Sequence, residues 1–171
     1  AIRETLYSCG LRVSELCNLK LSDLYFEEGF IKVEGKGSKQ RLVPISPRAI
    51  KEIKYWLTDR SLGKIKKGYE DYVFLARWGN NISRIMVFHM IKELAEKTGI
   101  TKNISPLTFR HSFATHLLEG GANLRAIQCM LGHESIATTE IYTHIDRNML
   151  RSEIIDQHPR NIKYRKERRI Y

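Results

Sequence analysis

The sequence predicts a mainly α domain with one small antiparallel β-sheet, and three observations predict it. Helix punctuation recurs in the second half, where Ser105-Pro106, Gly120-Gly121, Asn123 and Gly132 open or close apolar runs. Period-two alternation is confined to a short stretch: Ile31 and Val33 alternate with Lys32 and Glu34 just before Gly35-Lys36-Gly37-Ser38. The chain has 171 residues, 42% of them hydrophobic. A chain of this length buries roughly 70% of its unfolded surface, enough for the core of one domain.

The elements follow in order. Ile2, Leu6 and Tyr7 read as the end of an apolar helix whose start is missing, broken at Cys9-Gly10. Val13 to Leu19 resumes as a short helix. The strand at Ile31 and Val33 turns through residues 35–38, and Leu42, Val43 and Ile45 form the returning strand. Pro47 at a first helical position opens a helix expected to reach Leu57. A basic, glycine-containing loop spans 61–69, a short strand 72–75 and a turn 79–81. Ile85 to Lys97 forms a helix ending at Gly99. Ser105 caps a helix running to Glu119, and Asn123 caps another that ends at Gly132. Ser135 caps a helix carrying Tyr142. Ile145, Met149, Leu150, Ile154 and Ile155 mark one face of a last helix, closed by Pro159, and this stripe needs an apolar partner.

Charge narrows the partner. There are 29 basic and 19 acidic residues, a formal charge of +10, which favours a polyanion, nucleic acid before membrane. Residues 160–171 hold six basic residues and one acidic one, half of the net charge, and read as a basic tail after a domain of residues 1–159. No apolar run approaches the ~20 residues of a membrane span, and Arg3 and Glu4 interrupt the start of any signal peptide. Cys9, Cys17 and Cys129 are widely spaced and read as reduced thiols of a cytoplasmic protein. The six histidines form no familiar zinc spacing; His111 and His116, five apart, do not share a helical face. No metal or cofactor is expected.

Three segments carry the chemistry: Gly10-Leu11-Arg12-Val13-Ser14-Glu15-Leu16, then Phe109-Arg110-His111, then Leu131-Gly132-His133 with Tyr142 nine residues on, between Thr139 and Thr143-His144. Arg110 sits early in its helix, where the backbone dipole favours an anion. Gly132 can take a left-handed conformation and aim His133 out of the preceding helix. In this order the segments resemble the catalytic domain of the tyrosine recombinases, most closely the Xer-type site-specific recombinases, from about Tyr7 to about Arg160.

The resemblance implies the tyrosine recombinase catalytic-domain fold and metal-free cleavage of double-stranded DNA. Tyr142 would attack a phosphodiester, giving a 3′-phosphotyrosyl bond and a free 5′ hydroxyl. Arg12 and Arg110 would clamp the non-bridging oxygens, His133 would hydrogen-bond the phosphate, and Glu15 would support Arg12 from the same helical face. Lys36, in the hairpin turn, would be the general acid for the leaving oxygen, with Lys39 and Arg41 as rivals in the same hairpin. His111 is expected to be a buried, hydrogen-bonded supporting residue. The family pattern is His-x-x-Arg, but here the first position is Leu107, which can neither donate nor accept a proton. That departure leaves room for a weakened enzyme or a DNA-binding module; a type IB topoisomerase is the other alternative. The family also implies an N-terminal DNA-clamping domain, which this sequence does not encode, and other protomers on paired DNA sites.

Overall fold

The computed structural model describes residues 1–132 and 147–162, without the side chains of residues 147–150. Its helices are α1 (Ile2–Cys9), α2 (Val13–Cys17), α3 (Pro47–Leu62), α4 (Arg84–Lys97), α5 (Pro106–Glu119), α6 (Leu124–Leu131) and α7 (Arg147–Gln157). Between α2 and α3 lies an antiparallel sheet, β1 (Leu24–Tyr25), β2 (Phe30–Glu34) and β3 (Gln40–Pro44), in that spatial order.

The hairpin is what its sequence specifies. Val33 pairs with Arg41 and Glu34 with Gln40, and the Gly35 amide donates to the Lys39 carbonyl at 2.8 Å. Between them, Lys36–Ser38 form one 3-10 turn, with Gly37 at φ 71° and Ser38 at φ 57°. The first of these left-handed positions suits glycine.

Several boundaries differ from expectation for tertiary reasons. Helix α3 continues past Leu57 to Leu62 because Trp56 and Arg60 pin it to the following segment: the Trp56 indole donates to the Val73 carbonyl at 2.7 Å and Arg60 Nε to the Tyr72 carbonyl at 3.0 Å. The strand expected at 72–75 is reduced to isolated bridges, Lys20 with Tyr72 and Leu75 with Asn81, so no ladder extends. Strand β1, two residues long, is too short to give a periodicity signal.

Two apolar clusters make the core. One joins α1 and α2 to the sheet, α3 and α4 through residues such as Leu6, Leu16, Ile31, Val43, Ile53 and Ile91. The other joins α5, α6 and α7 through Phe113, Leu117, Ile127, Met130 and Ile154. They meet where Gly10, the left-handed cap of α1, lies against Phe113; a Cβ there would come within 2.4 Å of the ring. The apolar partner that the 145–155 stripe requires is, for Ile154, the chain's own core, where it is fully buried.

The chain then returns to α1. His158 is fully buried, and its Nε2 lies 3.2 Å from the Tyr7 carbonyl. Arg160 bonds the carboxylate of Glu4, at 2.6 Å from Nη2 to Oε2, and Asn161 is buried with its amide donating to the Ile154 carbonyl. Arg160 and Asn161, read from sequence as the start of a tail, are thus packed in the fold.

Candidate active site

The site forms where three chain segments meet the hairpin. Arg12 is the N-cap of α2, and Glu15 at the third helical position accepts the Arg12 backbone amide at 3.2 Å. This local bond fixes the entry of α2 and turns the Glu15 carboxylate inward, where it is 3% exposed. The Arg12 guanidinium reaches the same carboxylate at 3.4 Å while remaining half-exposed.

Glu15 is held chiefly by Arg41. Nη1 and Nη2 of Arg41 donate to Oε1 and Oε2 at 3.0 and 2.7 Å, a two-pronged pairing that only a guanidinium can make. Arg41 Nε donates to the Met130 carbonyl at 2.8 Å, near the end of α6. Removing Arg41 alone would leave a buried carboxylate without its main partner, a loss of about 3–5 kcal/mol.

Arg110 enters from α5 and is 7% exposed. Its Nη1 donates to the Gly10 carbonyl at 2.7 Å and its Nη2 to the Leu131 carbonyl at 2.6 Å. One side chain thereby ties the residue group before Arg12 to the residue group before His133. Burial, together with the positive charges of Arg12 and Arg41 and against the opposing pull of Glu15, lowers the Arg110 pKa to about 10. It remains cationic at neutral pH. Three arginines thus surround one buried carboxylate, with two positive charges in excess.

Arg12 and Glu15 also line a polar cleft of about 780 Å³, together with Lys20, Lys32 and Lys36, the acidic Asp23 and Glu34, and Tyr72. Lys36 is exposed at the hairpin tip on this cleft. The structure therefore brings Arg12, Glu15 and Arg110 together and places Lys36 on the same cleft as the first two. His133 and Tyr142 lie outside the described residues; Gly132, which precedes His133, is a left-handed cap at φ 67°, as its position after α6 requires.

Two expectations change. His111 is exposed, not buried: the inward face of α5 is set by Arg110, Phe113 and Leu117, and the residue after Arg110 points about 100° away from it. Arg41 is unsuited to be the general acid, because all three of its nitrogens are engaged in buried bonds. Its structural part was nevertheless legible: Arg41 is in strand phase with Val43 and Ile45, both buried, and a charge on that face demands a buried partner.

Leu107 occupies the second position of α5, one turn before Arg110, and is 70% exposed.

The model of the phage integrase family matches residues 1–149. The chain belongs to the phage integrase family. Tyrosine recombinase XerD of Chlorobaculum tepidum is 49% identical over 160 residues, covering 94% of this chain and 53% of that protein. Tyrosine recombinase XerC of Thermodesulfovibrio yellowstonii is 45% identical over 162 residues, covering 93% and 54%. This phage integrase family chain therefore spans about half the length of the curated relatives it matches. Among solved structures, XerA recombinase superposes with a TM-score of 0.71 at 37% identity, over 91% of this chain and 56% of that one. XerH recombinase, in a pre-cleavage complex with its difH substrate, gives 0.66 at 32% identity, over 84% and 41%. The fold and family expected from the three motifs are borne out.

Proposed function

We propose that this chain carries the catalytic domain of a site-specific tyrosine recombinase, which cuts and rejoins double-stranded DNA without metal or cofactor. The observation that carries this is the arginine cluster. Arg12, Arg41 and Arg110 exceed the single buried carboxylate of Glu15 by two positive charges, beside the polar cleft that Lys36 lines. A half-buried excess of cation is stable when an anion completes it, and a phosphodiester in the transition state supplies one.

The roles are those that the family resemblance implies. Tyr142 Oη attacks phosphorus as the phenolic proton passes to water. The bond from phosphorus to the 5′ oxygen breaks, and the Lys36 ammonium gives that oxygen its proton. Arg12 and Arg110 neutralise the non-bridging oxygens, with His133 as a further donor. The phosphotyrosyl ester keeps the bond energy, so a 5′ hydroxyl can reverse the step and rejoin a strand. Other protomers on paired DNA sites complete recombination, and the reaction takes place where the chromosome lies, in the cytoplasm of a prokaryote. The names of the relatives favour a recombinase over a topoisomerase.

A nicked duplex that loses the short fragment bearing the new 5′ hydroxyl on cleavage traps the covalent adduct. The chain should accumulate a protein–DNA adduct resistant to denaturant, and Tyr142→Phe should form none. An equal adduct from Tyr142→Phe would displace Tyr142. Specific binding with no adduct would favour a DNA-binding module, a reading that Leu107 keeps open.

A further inference from the structure

Arg41 is the one buried cation of the cluster to which the foregoing mechanism gives no part, and its surroundings are unusual. Its guanidinium lies between two glycines. A Cβ on Gly35 would stand 3.3 Å from Arg41 Nη1, and a Cβ on Gly132 would stand 3.1 Å from both Nη1 and Cδ. Gly35 immediately precedes Lys36, and Gly132 immediately precedes His133. The same guanidinium grips both oxygens of Glu15, which also accepts the Arg12 backbone and side chain. It further bonds the Met130 carbonyl, one residue from the Leu131 carbonyl that Arg110 bonds. One side chain thus sits at the junction of the segments that lead to Arg12, Lys36 and His133.

We infer that Arg41 is a positioning residue which locks the base of the hairpin against Glu15 and so holds Lys36 at the leaving 5′ oxygen. The inference rests on the reading of Lys36 as the general acid. The hairpin's own bonds, such as Gly35 to Lys39, fix the shape of its tip but not its placement. Placement against α2 comes from the Arg41–Glu15 pairing. A lysine at this position would keep the charge but could not pair with both oxygens and the Met130 carbonyl together. Arg41 does not touch the DNA in this account; it acts through Lys36.

The test uses two duplexes, one natural and one with sulfur in place of the bridging 5′ oxygen at the cleaved bond. In both, the bond from Tyr142 Oη to phosphorus forms as the bond to the leaving atom breaks. An oxygen leaving group takes a proton from Lys36. A thiol ionises near pH ~8.5, so the sulfur departs as thiolate without one. Lys36→Ala should therefore cleave the natural duplex slowly and the sulfur duplex at nearly the parent rate. Arg41→Lys should show the same signature, a roughly tenfold to hundredfold loss on the natural duplex, within the range of a mispositioned general acid, largely restored on the sulfur duplex.

Gly35→Ala provides the second variant, because it removes no charge. Gly35 has φ −96°, where alanine is unstrained, but the new methyl presses on a guanidinium fixed by its own bonds. It should give the same selective loss, and it decides the matter if Arg41→Lys does not fold. Arg110→Lys, which acts on the phosphate itself, should be slow on both duplexes. Equal slowing of Arg41→Lys on both duplexes, or no slowing, would overturn the inference while Lys36→Ala is still rescued. If Lys36→Ala is itself not rescued, the general-acid reading falls, and the inference with it.

Discussion

Leu107 shows how much one side chain can decide. It stands one turn before Arg110 and is 70% exposed, so it contributes little to the core and its replacement leaves no cavity. The family histidine at this position would face the same open side. Leu107→His should therefore fold with a stability change within about 0.5 kcal/mol. On a suicide duplex it should raise the single-turnover cleavage rate by about tenfold or more, since a general acid or base is typically worth roughly 10²–10⁴-fold. DNA affinity should hardly move, because the gain belongs to the transition state. Equal rates in both proteins would mean that another residue already fills the role. Arg110 and His111 make the complementary point: neighbours in sequence, one buried with two carbonyl partners and the other exposed, separated only by the turn of a helix.

Among the elements, α7 is the one whose partner the sequence leaves open. Its apolar stripe fits either a neighbouring protomer or the chain's own core, since periodicity specifies a face and not what covers it. The structure buries Ile154 against Phe113, Leu117 and Met130, while Ile155, next to it, is half-buried. Ile154→Ala should cost about 2–5 kcal/mol, read as a lower midpoint in denaturant unfolding. Ile155→Ala should cost less. Equal and small losses would show that α7 draws its stability from outside the chain. The hairpin presents the opposite case: its turn sequence was sufficient to pair β2 with β3 and to put Lys36 in the turn, because that pairing is local.

At the level of the whole molecule, charge and chain closure matter most. Binding to duplex DNA should weaken linearly in log K against log salt, by about 0.9 for each phosphate neutralised. Deleting residues 163–171 should flatten that slope if the tail touches DNA. The cut belongs after residue 162, because Arg160 and Asn161 are packed against the fold. An unchanged slope would make the tail a bystander.

Chain closure also makes stability depend on pH. Burial lowers the His158 pKa from 6.5 to about 4, outweighing the bond to the Tyr7 carbonyl and the pull of Glu4, with His116 and Arg160 adding repulsion. The unfolded chain takes up a proton near pH 6.5 that the folded chain refuses until about pH 4. Stability should therefore be flat above that window and fall as pH drops through it, by about 3 kcal/mol at the limit. Glu4 adds a further loss below its ordinary value of 4.5: burial pushes its pKa up, but bonds to Arg160 and Ser8 and the charge of Arg48 bring it down. His158→Gln should flatten the loss between pH 6.5 and 4, measured by denaturation at fixed pH steps. A profile identical to the parent's would place the titrating group elsewhere.

The sequence by itself determined the helix ends at Ser105, Asn123 and Gly132, the hairpin turn and the order of the three motifs. Each of these rests on residues within one turn of one another: a cap bonds its own first turn, and a glycine can take a left-handed conformation without steric cost. Only the tertiary structure decided that Arg41 would be buried on Glu15, that Arg110 would join the Gly10 and Leu131 carbonyls, that α3 would run on to Leu62, and that the chain would close on Glu4. Those contacts span from 12 to 156 residues. A buried charge must find its partner wherever the packed chain brings one, and no local spacing encodes which carbonyl or carboxylate that will be.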